Sequence, residues 1–289
     1  MRRNVFFSFL LLTWKIFPFK NFYASIIKSS SFLKRKLYKD LRFKGIMRIQ
    51  IENQTIKIYN PGYTTIENEL YWNGWDGWEK ISLALWKNYS KDSAIIFDIG
   101  SNTGIYSLVA SNENPNAEIY AFEPVKRTAQ LLKKNLELNS TFKIQMIEKA
   151  VSNQNGKATF YDVPSQSQYS ASLNPEMLNQ VNEIITYEIE TITLDTFKLL
   201  ENKKVDLIKL DVEMHEPEAI EGMIEIIRRD KPTILVEILT NEIGHKIEAL
   251  IKGLDYIFYE IDEINPPLRV SKLHKSKCYN FLLTQNKLD

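Results

Sequence analysis

The chain has 289 residues, 44% hydrophobic and 25% charged, enough to bury the core of one α/β-sized domain with an appendage. Its single cysteine, Cys278, excludes an intrachain disulfide, and no Cys/His spacing resembles a zinc site, so a reducing cytosol is the expected compartment. The net charge of +1 hides an asymmetry: residues 1–45 carry eleven Lys or Arg against Asp40 alone, making this leader +10 and the remainder −9.

Within the leader, the apolar run Val5–Trp14 is too short to cross a bilayer, which takes about 20 residues. Arg2 and Arg3 precede it as in a secretory signal, but no Ala-x-Ala site follows. Aromatic residues interleaved with cations, then Lys34-Arg35-Lys36, suit adsorption on an anionic membrane surface; a packed or disordered leader is the alternative. The acidic body and the lack of a recognition motif speak against nucleic acid. The expected location is cytoplasmic, peripheral on the inner membrane face.

Ile46–Ile51 and Thr55–Tyr59 alternate around Glu52-Asn53-Gln54, the pattern of a hairpin. Trp72, Trp75 and Trp78 then precede a helix ending at Tyr89; the cluster reads as packing, with a sugar-binding face as the other reading. The resulting plan is a leader at 1–45, a hairpin-and-helix appendage at 46–90 and a main domain at 91–289.

Ala94–Ile99 is an apolar strand carrying Asp98, and it opens into Gly100-Ser101-Asn102-Thr103-Gly104. Ile105, Leu108 and Val109 follow at helical spacing. The glycines let a ligand lie against bare backbone and let the helix pack close to the sheet. A second strand, Glu118–Phe122, ends at Glu123, completing a βαβ half-unit whose acid can accept ribose hydroxyl protons. The third glycine of the dinucleotide fingerprint is missing, which argues against a pyrophosphate at the helix start and against an NAD-dependent oxidoreductase.

Val125–Leu138 reads as a helix and Phe142–Ile147 as a third strand. Lys157–Val163 and Tyr187–Ile192 form a hairpin-like extension around a polar loop, 164–182. Within it Ser165–Ser170 reads as a lid, an acceptor contact or disorder. The second half runs strand Val205–Leu210, helix Glu216–Arg229, strand Thr233–Ile238, helix Glu242–Lys252, and strands Tyr256–Ile261 and Tyr279–Leu283. Cys278, flanked by apolar residues, reads as a small core residue.

The Asp98–Gly104 turn with Glu123 resembles motif I and the acidic loop of class I S-adenosylmethionine-dependent methyltransferases. Lys209-Leu210-Asp211-Val212-Glu213-Met214-His215-Glu216 is similar to the Lys-x-Asp-Val-Glu-Gly-x-Glu signature of the FkbM-type methyltransferases. The resemblance covers roughly residues 65–240, including Ala150-Val151-Ser152, Thr193-Leu194-Asp195 and the strand up to Glu237. Met214 stands where the family has Gly, and Ser101 where it has Ala, so a different backbone after Glu213 is expected.

That resemblance implies a Rossmann-like class I methyltransferase fold. Its seven-stranded, mostly parallel sheet has the order 3-2-1-4-5-7-6 with only the last strand antiparallel and helices on both faces. Asp98 and Asp211 end strands 1 and 4, at the switch point where ligands bind. The implied cofactor is S-adenosylmethionine, held by Asp98, Gly100, Asn102, Gly104, Glu123 and Asp211, with Glu79 approaching from the preceding segment. The implied acceptor is a sugar or glycan-like hydroxyl, as in polysaccharide biosynthesis.

Methyl transfer from a sulfonium is an in-line displacement that needs no covalent protein intermediate. A hydroxyl acceptor must lose its proton, and His215, just before a helix N-terminus, is the first candidate base. Asp211 and Glu213 are the other catalytic candidates. A divalent cation held by Asp211, Glu213 and Glu237 stays open, as does oligomeric state. A catalytically silent membrane-attached binding module is the remaining alternative.

Overall fold

A computed structural model describes residues 14, 20–140, 143–162, 173, 184–197, 203–277 and 279–288. The apolar run before Trp14, the Ser165–Ser170 stretch and Cys278 lie outside the described residues. The chain divides into two compact units, Met1–Trp78 and Glu79–Asp289.

In the smaller unit, part of the leader is folded. Helices α1 (Lys20–Ser29) and α2 (Ser31–Leu37) meet at Ser30, whose hydroxyl accepts the Leu33 N–H at 3.3 Å and caps α2. Strands β1 (Gly45–Ile51) and β2 (Gln54–Asn60) pair antiparallel from Gly45 opposite Asn60 to Ile51 opposite Gln54. Strand alternation buries Met47, Ile49, Ile51, Ile56 and Ile58 on one face. Helix α3 (Thr65–Asn73) brings in Trp72, which is fully buried and donates its indole N–H to the Leu41 carbonyl at 2.8 Å. Trp72 is therefore packing; Trp75 and Trp78 are half-buried.

The larger unit begins with helix α4 (Lys80–Ser90), which packs against α5 (Ile105–Glu113). Trp86 Nε1 donates to the Tyr106 carbonyl at 2.9 Å, so this helix sits with the larger unit rather than with an appendage ending at residue 90. The remaining strands are β3 (Ile95–Ile99), β4 (Glu118–Phe122), β5 (Ile144–Ile147), β6 (Ala150–Val151), β7 (Gly156–Asp162), β8 (Ile185–Ile192), β9 (Leu207–Leu210), β10 (Thr233–Glu237), β11 (Ile257–Ile261), β12 (Leu268–Val270) and β13 (Asn280–Thr284). The main sheet has the order β12-β11-β13-β10-β9-β3-β4-β5. With β12 set aside, numbering the other seven strands by sequence reproduces the expected 3-2-1-4-5-7-6. The short β12 adds an eighth strand at the edge, so two strands, β13 and β12, run against their neighbours. Leu268-Arg269-Val270 is too short and too exposed to announce itself by pattern.

Helices α6 (Lys126–Leu138), α7 (Glu216–Glu221), α8 (Ile224–Asp230) and α9 (Asn241–Leu250) complete the layers. All five residues of β3 are buried, as a strand covered on both faces requires. Ile95, Phe97 and Ile99 share one core with Ala219, Ile220, Ile227 and Ile247 of α7, α8 and α9, whereas the alternate Asp98 meets Ser107 of α5. The two helix sets thus cover opposite faces.

A single helix over Glu216–Arg229 does not form. The break is at Gly222, where a Cβ would lie 2.0 Å from the Ser152 carbonyl and whose own carbonyl accepts the Asp195 N–H at 3.0 Å. The Asp195 carboxylate then accepts the Glu225 and Ile226 N–H groups at 3.1 and 3.0 Å, starting α8 anew. At the other end, exposed Lys231 closes α8 in the left-handed region, φ 48° and ψ 54°. Lys231→Gly is expected to stabilise the protein by about 0.5–1 kcal/mol, relief of that strain outweighing the added unfolded-state entropy. A lower denaturant midpoint would contradict this.

The extension is a second sheet of three strands, β6-β8-β7, with β8 antiparallel to β7 and parallel to β6. Phe160 and Ile189 pack there on Ala150 and on Val125, the residue before α6.

Candidate functional site

The carboxyl ends of β3, β4 and β9 open onto one pocket, lined among others by Gly100, Asn102, Glu123, Asp211, Glu213 and His215. Gly100 is required by close approach: at φ 77° its Cβ would stand 1.8 Å from the Asp211 carbonyl. Gly104 precedes α5 at φ 89°, and a Cβ there would reach Leu132 of α6 at 2.5 Å. The turn therefore lies flat against both neighbours.

Glu123 is buried and ties two turns together. Its carboxylate accepts the Asn102 N–H at 2.9 Å and the Val125 N–H at 2.9 Å. Burial pushes its pKa up to about 8, opposed by those hydrogen bonds. Asn102 has φ 50°, and its Oδ1 is buried at the pocket without a hydrogen-bond partner. Such an orphaned acceptor is costly unless a ligand donates to it.

Asp98 is not a lining residue. Its Oδ2 accepts the Ser107 N–H at 2.9 Å and the Ser107 hydroxyl at 2.5 Å, anchoring the first turn of α5 beneath the glycine turn. Burial raises its pKa to about 6. The topological expectation that Asp98 and Asp211 share a crevice holds for their strand ends, while side-chain alternation turns Asp98 to the helix face.

Asp211 is joined at 3.0 Å by Lys209, which is 1% exposed within β9. Burial works against the Lys209 charge, but Asp211, Glu79 and Glu237 together raise its pKa. Its ammonium lies 5.0 Å from the Tyr106 ring centre. Tyr106 in turn donates its hydroxyl to Glu79, whose pKa is raised first by burial. Glu79 thus supports the floor behind Asp211 and is not among the lining side chains. Sequence reasoning assigned no role to Lys209 or Tyr106; a lysine framed by Leu207, Ile208 and Leu210 in a buried strand was the available signal.

The segment after β9 takes a turn that normally favours glycine. Glu213 and Met214 have φ 55° and 73°, so Met214 adopts the left-handed backbone despite its side chain. Glu213 lines the pocket, its pKa pushed up to about 8 by burial, then by Asp211 and Glu216. Glu237, at the end of β10, is raised to about 10 by burial and by Asp211 and Glu213, and does not line the pocket. Among the described residues no group of three or more His, Cys, Asp or Glu is arranged to hold a metal ion. A divalent cation on Asp211, Glu213 and Glu237 therefore has no support.

His215 lines the pocket from the start of α7, and burial lowers its pKa. Its Nε2 is 3.0 Å from Ser152 Oγ and its Nδ1 is 3.6 Å from Glu218 Oε2. Ser152 closes the Ala150-Val151-Ser152 turn of the resemblance, but no local pattern paired it with His215, 63 residues away in sequence.

A family model described as Methyltransferase FkbM domain matches residues 98–258. Methyltransferase 1 of Beauveria bassiana (strain ARSEF 2860) is 25% identical over 147 residues, 46% of this chain and 59% of that protein. The chain thus spans less than two thirds of that relative's length. Methyltransferase FkbM from Methylobacillus flagellatus KT is similar with TM-score 0.44 and 15% identity, covering 71% of this chain and 51% of that one. A SAM-dependent methyltransferase from Agrobacterium tumefaciens has TM-score 0.44 and 10% identity over 84% of this chain and 72% of its own. With its signature segments inside the matched range, the chain belongs to the FkbM methyltransferase-domain family.

Proposed function

We propose that this protein transfers a methyl group from S-adenosylmethionine to a hydroxyl oxygen of a sugar or glycan-like acceptor. The observation that carries this reading is a set of acceptors in the pocket wall, the Glu123 carboxylate, the orphaned Asn102 Oδ1 and the Asp211 carboxylate, while the lining cations Arg127 and Lys149 are paired with Asp162 and Glu190. A ligand with a ribose diol, an ammonium and a positive sulfur suits that set. A pyrophosphate does not, since the amides of Gly100, Ser101, Asn102 and Gly104 are already bonded within the protein. This speaks against the NAD-dependent alternative. The acceptor class follows from the family resemblance, whose members commonly modify hydroxyl groups.

When bound, S-adenosylmethionine supplies an electrophilic methyl carbon on its sulfonium sulfur. Glu123 holds the ribose end, and Asp211, steadied by Lys209, holds the ammonium or orients the acceptor. Glu213 adds negative potential beside the positive sulfur once it is ionised. His215 takes the hydroxyl proton. If its Nε2–H donates to Ser152, Nδ1 is left as the basic nitrogen, and the proton gained there faces Glu218. The lowered pKa keeps the ring neutral and able to accept a proton near pH 7.

The test combines calorimetry against S-adenosylmethionine and NAD with turnover to S-adenosylhomocysteine over a saccharide panel. Binding of the sulfonium ligand alone, with product formed on one saccharide, is expected. Failure to bind it removes the methyltransferase reading; binding without turnover on any hydroxyl acceptor leaves a silent module. We also propose that the basic leader, residues 1–45, holds the protein at the cytoplasmic face of an anionic membrane. Among the described residues no helix is long and apolar enough to cross one.

A further inference from the structure

We infer that the smaller unit carries a docking face for an anionic lipid surface, built from α1, α2 and the outer side of β1. The inference rests on the membrane reading above and deepens it, naming the side chains and extending the contact past residue 45. Helix α1 has two unlike faces. Ala24 and Ile27 are buried, whereas Phe22 and Ile26, one turn apart, are 64% and 49% exposed. Helix α2 exposes Arg35 and Lys36 on its outer side.

A cavity of about 490 Å³ lies between α1, α3 and the hairpin, with Lys28 of α1 and Ile46 and Arg48 of β1 among its walls. Ile46 and Arg48 lie on the exposed face of that strand, and Ile46 is 54% exposed. The floor is aromatic: Phe43 stacks on Tyr71 at 4.2 Å, and the Lys28 ammonium sits 4.3 Å from the Tyr71 ring centre. Around this groove an exposed apolar side chain, Ile46, and two cations, Lys28 and Arg48, stand beside an aromatic floor.

Charge identifies the occupant. Residues 20–48 carry nine cations, Lys28, Arg35, Lys36 and Arg48 among them, against Asp40 alone. Isolated exposed apolar side chains need no explanation, but Phe22, Ile26 and Ile46 belong to a segment in which cations far outnumber acids. A polyanion such as RNA would use the cations and leave these apolar groups in water. An anionic bilayer uses both, with headgroup phosphates meeting Lys28, Arg35, Lys36 and Arg48 while Phe22, Ile26 and Ile46 enter the acyl boundary.

The test is co-sedimentation of the full chain with vesicles of phosphatidylglycerol in phosphatidylcholine, with pure phosphatidylcholine vesicles and an RNA oligonucleotide as comparisons. The expected result is binding to the anionic vesicles only, lowered roughly tenfold by F22S/I26S and again by R35E/K36E, with melting temperatures unchanged. No vesicle binding by the native chain overturns the membrane reading and the face together. Binding undiminished in both variants overturns the face alone and moves attachment to another segment. Equal binding to neutral vesicles, or oligonucleotide binding in place of vesicle binding, also overturns it. None of these outcomes touches the methyltransferase reading, which is measured on soluble acceptors.

Discussion

His215→Ala is expected to lower turnover by about a hundred- to ten-thousandfold while leaving the Kd for S-adenosylmethionine near its native value. The reason is geometric. The imidazole lines the pocket but is held by Ser152 and faced by Glu218, neither of which belongs to the ribose-binding turn. Ser152→Ala removes the group that orients the ring, so a smaller loss, roughly tenfold, is expected, with the acidic limb of the pH–rate profile displaced. The sign of that limb is set by burial: a ring pKa below its ordinary value moves the loss of the neutral base to lower pH. Full turnover in His215→Ala, at any pH, would remove it as the base.

Glu123→Ala is expected to weaken S-adenosylmethionine binding by about 3 kcal/mol, roughly a hundredfold, because two charge-assisted hydrogen bonds to the ribose are lost. The same change strands the Asn102 and Val125 N–H groups, so the turn loosens as well. Glu123→Gln is no gentle control, since its amide nitrogen would point a donor at one of those donors. The carboxyl also makes binding pH-dependent. With its pKa pushed up to about 8, Glu123 keeps its proton in the ligand-free protein at pH 7. A carboxyl raised in the folded state favours folding at low pH, and that contribution is lost as pH rises through about 8. A cationic ligand whose hydroxyls donate hydrogen bonds to the carboxylate favours the opposite, ionised form. Affinity should therefore rise between pH 6 and 8, by at most about tenfold per unit for each proton released, and level off above. Calorimetry in buffers of different ionisation enthalpy counts those protons; an affinity flat across this range would exclude the linkage.

Much of the architecture was legible in residue order. The fully buried β3, the glycine turn after it, and the alternation of strands with helical spacing dictate a parallel sheet with helices on both faces. Local breaks were not legible. The interruption at Gly222 depends on the Ser152 carbonyl, seventy positions earlier, pressing on that backbone. Likewise β12 exists only because β11 offers an edge to pair with.

The candidate site divides along the same line. Chemical type and strand position are properties of the chain itself: a carboxylate closing each of two strands, glycines where backbones must touch, and a histidine at a helix start. Which atom faces which is a property of the assembled sheet. Side-chain alternation sends Asp98 to Ser107 and leaves the pocket to Asp211, and packing between distant segments sets Ser152 against His215 and buries Lys209 beside Tyr106. Asp98 and Ser107 are nine residues apart within one strand-turn-helix unit, but the other pairings join residues far apart in order, which no local pattern encodes.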